Sequence, residues 1–475
     1  KMPPADLPLP KKPADPPPVI NPRHAEAIGV GPVPVGKSPF DALRREDIDP
    51  YELSVFGGGS PVQPPDQLVA ILGESRMSHW YGGTVAEFSP DDKLVCTHGA
   101  GGEGIRLWST TTGKQEFFFH GNGPTAFSPD SKRFVYLGTN DKPGLWIADL
   151  ETGKTQRVNI FTDGVRAIRF QPDGKALIVA SGGAIFRLEF EPSAKHVKIH
   201  EEKVGIQQVA FNNDASRAAV TWQADKKQRI KLIELATGKE LFAREKAFEK
   251  SRGLVFSTDL RYVYVILGNY DGTVWDLERD QVVAQLNDFG NLSLSWHPSR
   301  PRLVATSSYG IHLFDAETKR STLVVPSKSG HGYHSGVCWS NDGKTIATGP
   351  GGTTLLLDAE TWSIKSPSQE SLPRGGIVCL CVPPDGTSII AGYGAGTYSN
   401  WELPAGKNEK VLDLEDVIRS SAISPDGKTI ASYHGSYHNS KMTFFAIDTR
   451  QELLSNALKG QGHPVHQVIF TSDSR

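Results

Sequence analysis

Two histidine pairs carry metal-type spacing in this chain: His434 with His438, and His463 with His466. Neutral imidazoles three or four residues apart suit zinc or copper. The first pair lies in a loop after one strand pattern and the second just before another, so both loops are expected on one side of the fold. The same residues read equally as solvated loop side chains, and both alternatives stand. His331 and His334 have the same character. A second set is aromatic. Tyr270, Tyr309, Tyr393 and Tyr433 follow an apolar strand-end residue by 14, 13, 11 and 10 positions, Trp222 follows its own by 11, and Trp80 and Tyr81 precede the first such unit. Tyr and Trp combine contact area with a polar handle and little entropy loss, which favours binding hot spots. The alternative is that these rings end strands and pack between neighbouring elements.

Other chemistry is absent. The sequence holds no phosphate loop, no His-Glu-x-x-His, no Gly-x-Ser-x-Gly and no calcium-loop spacing. Gly99, Gly101, Gly102 and Gly104 fall in a hairpin with no helix behind them, so no helix N-terminus is available to an anion. The recurrent carboxylates, Asp91, Asp130, Asp173, Asp385 and Asp426, sit in turns, where they satisfy backbone. No catalytic residue and no cofactor are expected.

The elements that would position these side chains repeat. A large apolar residue precedes a turn at Phe88, Phe127, Phe170, Phe211, Phe256, Trp296, Trp339, Val382, Ile423 and Phe470, with spacings of 39 to 47 residues. The turns read Ser89-Pro90-Asp91, Ser128-Pro129-Asp130, Asn341-Asp342-Gly343 and Ser424-Pro425-Asp426-Gly427. Pro presets φ, Asp binds its own backbone and Gly takes positive φ, so each turn joins antiparallel strands. Period-two alternation follows, as in Lys344-Thr345-Ile346-Ala347-Thr348. Further on comes an apolar residue and then a short polar or acidic one: Trp108-Ser109, Ala148-Asp149, Trp275-Asp276, Phe314-Asp315, Trp401-Glu402. Four short strands per unit of about 42 residues is the period of a propeller blade.

On these residues the units from 67 to 475 resemble the WD-repeat family of β-propellers, of the large bacterial multi-repeat kind. The resemblance implies a network in which a His before the first strand and a loop Asp join the Trp. Gly462-His463 fits its first part and Asp271-Gly272 with Trp275 the second, while most units lack the full set. Blades held mainly by packing are therefore expected. An all-β propeller of four-stranded blades follows as the fold class.

Composition agrees with a folded chain and narrows its partners. The net charge of -2 over 475 residues lacks the basic excess that nucleic acid or an anionic membrane would require. No run of 18 apolar residues exists to span a bilayer. Four cysteines form no disulfide framework. Residues 1–66 hold 16 of the 33 prolines and read as an extended tail, with one short helix over 39 to 48 opened by Ser38 and Pro39. Gln67 to Gly73 reads as a strand that completes a distant blade and closes a ring. Seven blades over 67–372 would make one propeller and 373–475 the start of a second; the alternative is one larger ring over 67–475. Lys1 ahead of Met2 and a tenth unit begun near Phe470 suggest further residues on both sides. The expected role is a non-catalytic scaffold for a protein partner, within a larger assembly; the alternatives are the recognition module of an enzyme or sensor, or an enzyme with a site in the central channel. The compartment stays open.

Overall fold

The computed structural model describes residues 42 to 470 with interruptions in loops. The expected proline-rich tail therefore lies largely outside the described residues. What is described is almost entirely β: nine antiparallel sheets built from consecutive strands, eight of them four-stranded and one three-stranded. Numbered in chain order, they cover residues 83–119, 121–158, 165–201, 208–248, 253–286, 293–326, 334–358, 377–413 and 418–457. The three-stranded one is sheet 7.

The first turn of each sheet explains why the chain reverses there. Ser89 Oγ donates to Asp91 Oδ1 at 2.7 Å and accepts the Leu94 N–H at 2.9 Å. The same lock recurs at Ser257, Asp259 and Tyr262 and at Ser340, Asp342 and Thr345. These serines are buried, so the hydroxyl replaces the water that the turn backbone loses. The last turn position is left-handed. Gly343 and Gly427 take it without strain, at φ 71 and 70, whereas Ser131 and Leu260 hold it at φ 59 and 61 with a Cβ. A second tie joins this turn to the one between strands three and four. Leu277 N–H donates to Arg261 O, and Ala359 N–H to Lys344 O, at 2.8 and 2.9 Å. Both turns of a sheet thus lie on one side of the fold, the turn face.

Sheets pack through the apolar residue that ends strand one, the anchor, which leans on the preceding sheet. Phe127 of sheet 2 joins Cys96, Leu107 and Phe119 of sheet 1; Phe170 of sheet 3 joins Ala126 and Val135 of sheet 2. Trp296 donates its indole N–H to Val255 O of sheet 5 at 3.0 Å, and Trp339 donates to Ser295 O of sheet 6 at 3.1 Å. Sheet 1 leans on sheet 7: Phe88 shares a cluster with Cys338, Ala347 and Leu356. Asn341 also donates its backbone N–H to Asp92 Oδ1 at 2.7 Å, across 249 residues of sequence.

The segment that joins sheets 1 and 7 differs from the expected one. Residues 68–71 carry no strand. Met77, fully buried between the two sheets, takes the role: its N–H donates to Gly113 O at 3.1 Å and its carbonyl accepts Thr354 N–H at 2.7 Å. Leu68 to Ile71 has a strand's apolar pattern, but only Met77 is placed where an apolar side chain is enclosed on all sides. The expected helix start at Ser38 and Pro39 lies outside the described residues; within the expected stretch Arg45–Asp47 forms a 3-10 turn, and a separate α-helix follows. It spans Pro50–Phe56, with Asp49 Oδ1 accepting the Tyr51 N–H at 2.8 Å. Pro50 opens this helix at its first position, where a missing N–H costs nothing. The helix braces the Met77 segment. Glu52 accepts the Ser75 N–H at 3.0 Å, and Tyr51 OH accepts the Gln115 N–H of sheet 1 at 2.8 Å.

Met77→Ala is expected to destabilise the chain by about 2–5 kcal/mol through the cavity it leaves. Tyr51→Phe should cost about 1 kcal/mol by removing the acceptor for Gln115. Deleting residues 1–60 should therefore lower the melting temperature, because the brace goes with them; an unchanged melting curve would show the helix to be idle.

Candidate functional site

Three successive sheets build a concavity on the turn face. The first turns of sheets 4, 5 and 6 line a groove of about 370 Å³, whose walls include Asn213, Arg217, Thr258, Arg261, Arg300 and Glu317. Hydrogen bonds between the turns fix its shape. Asn213 Nδ2 and Thr258 Oγ1 each donate to Pro298 O at 3.0 Å, and Arg217 Nη2 donates to Asp259 O at 3.3 Å. Arg261 is held by Asp276, 3.1 Å away, and by Glu278 at 3.4 Å. Arg300 is exposed at the rim.

Two ionisable groups at the groove serve structure. Asp214 stays below the ordinary carboxylate range because Ser216 donates to it through side chain and backbone, which outweighs partial burial. His297, under the rim, is lowered by burial and then by the charges of Arg300 and Arg302. Its Nδ1 accepts the N–H groups of Ser299 and Arg300 at 3.1 and 3.0 Å. A neutral imidazole with that nitrogen already engaged has no proton-accepting role left there. Among the inner strands, Glu87 accepts a 2.7 Å hydrogen bond from Thr125 Oγ1, and burial raises its carboxyl above the usual value. That contact ties sheet 1 to sheet 2.

The acid at the end of strand three is a turn cap. Asp276 Oδ1 accepts the N–H groups of Glu278 and Arg279, both at 3.0 Å, and Asp315 and Asp358 do the same in sheets 6 and 7. In Asp276 and Asp315 burial pushes the carboxyl up, but the backbone N–H donors and the paired Arg261 or Arg302 hold it below its ordinary value. In Asp358 the ammonium of Lys365 is the largest cause of a pronounced lowering.

The residues expected at the site fall in two groups. Trp222, Tyr393 and Tyr433 are buried. The Lys231 ammonium lies 5.1 Å from the Trp222 ring centre, and Tyr393 OH accepts the Trp401 indole N–H at 3.1 Å. These three rings pack, which corrects the expected exposed aromatic face at their positions. Tyr309 is 61% exposed in the loop after strand two of sheet 6. Trp80, Tyr81 and Tyr270 lie outside the described residues. His434 is buried, its Nε2 2.9 Å from Thr443 Oγ1, and His438, His463 and His466 lie outside the described residues. Among the described residues no group of three or more His, Cys, Asp or Glu is arranged for a metal ion. Sequence reasoning passed over the groove; its signal was arginine near the first turn in units four, five and six, where units seven and nine carry Lys344 and Lys428.

Over 140 residues the chain is 24% identical to the target of rapamycin complex subunit LST8 of Rattus norvegicus. The fold is a β-propeller of four-stranded blades, similar to the WD-repeat kind. The match takes in 28% of the propeller chain and 42% of that relative, so less than half of the relative's length is spanned. No family model matches. Among solved structures, the propeller is similar to Kuenenia stuttgartiensis hydrazine synthase, with a TM-score of 0.46 and 16% identity over 63% of this chain and 99% of that one. It is also similar to the Cps50 (Swd1) β-propeller domain of Myceliophteria thermophila, with a TM-score of 0.43 and 11% identity over 60% and 95%.

Two outcomes are expected for the capping acids. Their lowered carboxyls contribute stability above the ordinary value of 3.8, and that contribution is lost as the pH falls through the lowered values. The melting temperature should fall only slightly from pH 7 to about 5, through the lowered His297, and steeply below about 4; a steep fall complete by pH 5 would point to histidine instead. Asp276→Ala should cost about 1–3 kcal/mol at pH 7, through the lost cap and the unpaired Arg261.

Proposed function

We propose that this propeller is a non-catalytic scaffold that holds a protein partner in the groove between sheets 4, 5 and 6, with Tyr309 as a further contact on the opposite side. The observation that carries this reading is the groove itself. It is a preorganised polar concavity with arginines from successive sheets, and Asp214, Asp259 and the neighbouring His297 are committed to turn geometry. Arginine at a fixed rim is well suited to a carboxylate or backbone carbonyl of a partner. Rigid turns on a propeller lose little entropy on binding, which favours recognition over chemistry. The LST8 relative is by its name a subunit of a complex, and a place in a larger assembly is the corresponding role here. Among the described residues no helix is long and apolar enough to cross a membrane.

The test is quantitative capture of a partner by the intact chain and by Arg300→Glu. The rim substitution should weaken retention by about tenfold or more and leave the melting temperature within about 1 °C. Retention unchanged in both Arg300→Glu and Tyr309→Ser would remove the groove and the tyrosine from the interface.

A further inference from the structure

The repeat gives each sheet one residue with the same duty, and sheet 6 alone fills that place with a titratable side chain. Directly after the anchor stand Ser89, Ser128, Ser257, Ser340 and Ser424, each a buried hydroxyl that accepts a backbone N–H across the first turn. Sheet 4 uses Asn212, whose Oδ1 accepts the Arg217 N–H at 2.8 Å. Gln and Pro hold the place in sheets 3 and 8. None of these side chains changes charge between about pH 5 and 8. In sheet 6 the residue is His297, 5% exposed.

Its surroundings fix one tautomer. Nδ1 accepts the N–H groups of Ser299 and Arg300 at 3.1 and 3.0 Å, so the neutral ring carries its proton on Nε2. The ring meets Trp339 of sheet 7 edge-on at 4.7 Å, and Nε2 lies against Gly343, where a Cβ would stand 2.3 Å from it. The imidazole is thus wedged between the turns of sheets 6 and 7. The charges that act on it are Arg300 and Arg302 of its own turn and Asp342 of sheet 7. Arg302 is itself paired with Asp315 of sheet 6 at 2.9 Å. The turn of sheet 5 meets this one through the uncharged Thr258, with Asp259 and Arg261 in the shared wall. Burial, and after it the two arginines, favours the neutral ring, while Asp342 and a backbone contact at Gly343 oppose them.

A second proton can enter only at Nδ1, and an imidazolium donates from both nitrogens. The N–H groups of Ser299 and Arg300 then face another N–H and lose their acceptor. These two residues, with Pro298 and Pro301, form the sheet 6 wall of the groove, and Arg300 is its rim. We propose that His297 is a proton-operated lock on this rim: closed at neutral pH and released in acid, so that acidification unseats Arg300 and weakens the hold on a bound partner. The proposal rests on the groove as the binding site and adds its regulation. The serine-locked turns of sheets 5 and 7 keep their shape over the same range.

Amide hydrogen exchange on the intact chain without partner, expressed as protection factors at each pH, reads the lock directly. From about pH 7.5 to about 5, protection at Ser299 and Arg300 should fall about tenfold or more, while residues 260–262 in the turn of sheet 5 stay within about twofold. His297→Asn, which installs the acceptor of sheet 4, should abolish the pH dependence. Level protection at Ser299 and Arg300 across this range would overturn the proposal, and so would an equal loss in His297→Asn. Should that variant fail to fold, the contrast between the two turns in the unsubstituted chain decides alone. Because the exchange needs no partner, it separates the lock from the groove reading: retention unchanged in Arg300→Glu counts against the reading, and level protection counts against the lock.

Discussion

One contact, repeated, holds this molecule together: a large apolar side chain at the end of a sheet's first strand laid on the sheet before it. Each sheet is a small antiparallel ribbon with two apolar faces, and such a ribbon has no stability alone. The anchor gives the stacking a direction. It reaches backwards in sequence at Phe127, Phe170, Trp296 and Trp339, and at Phe88 it reaches from the first sheet to the seventh. At Val382, where no sheet among the described residues lies against it, the same position is open.

Polar groups are subordinate to that contact but set its precision. A strand pair can deliver its anchor only if the turn beside it holds one geometry, and the buried serine with its aspartate does this. The capping acid fixes the opposite turn in the same way. Because these carboxylates are spent on backbone N–H groups and on neighbouring arginines, the turn face is rigid and chemically quiet. A concavity can form on such a face with little further ordering, as in the groove between sheets 4 and 6.

The anchors, the turns and the four-strand period were legible in the sequence because each depends on residues within one unit. Features that depend on two units were not. Leu68 to Ile71 and the Met77 segment both carry apolar residues, and only the meeting of sheets 1 and 7 decides which is enclosed. Trp222, Tyr393 and Tyr433 have the spacing of loop aromatics, yet the local sheet geometry places them inside. Asp49-Pro50 offers the same helix-start pattern as Ser38-Pro39, and the contacts of Tyr51 with the first sheet and of Glu52 with the Met77 segment are what hold the helix that follows it. The groove needs three turns at once, so no single unit announces it.

The directional anchor is tested most directly by amide hydrogen exchange, resolved by sheet, in Trp339→Ala. The loss of the indole should cost about 3–5 kcal/mol. If the anchor stabilises the sheet it leans on, protection should fall in residues 302–307 of sheet 6 as well as in sheet 7, and sheet 8 should be unaffected. A loss confined to residues 334–358, or one that spreads into 377–413 while sheet 6 stays protected, would contradict the account.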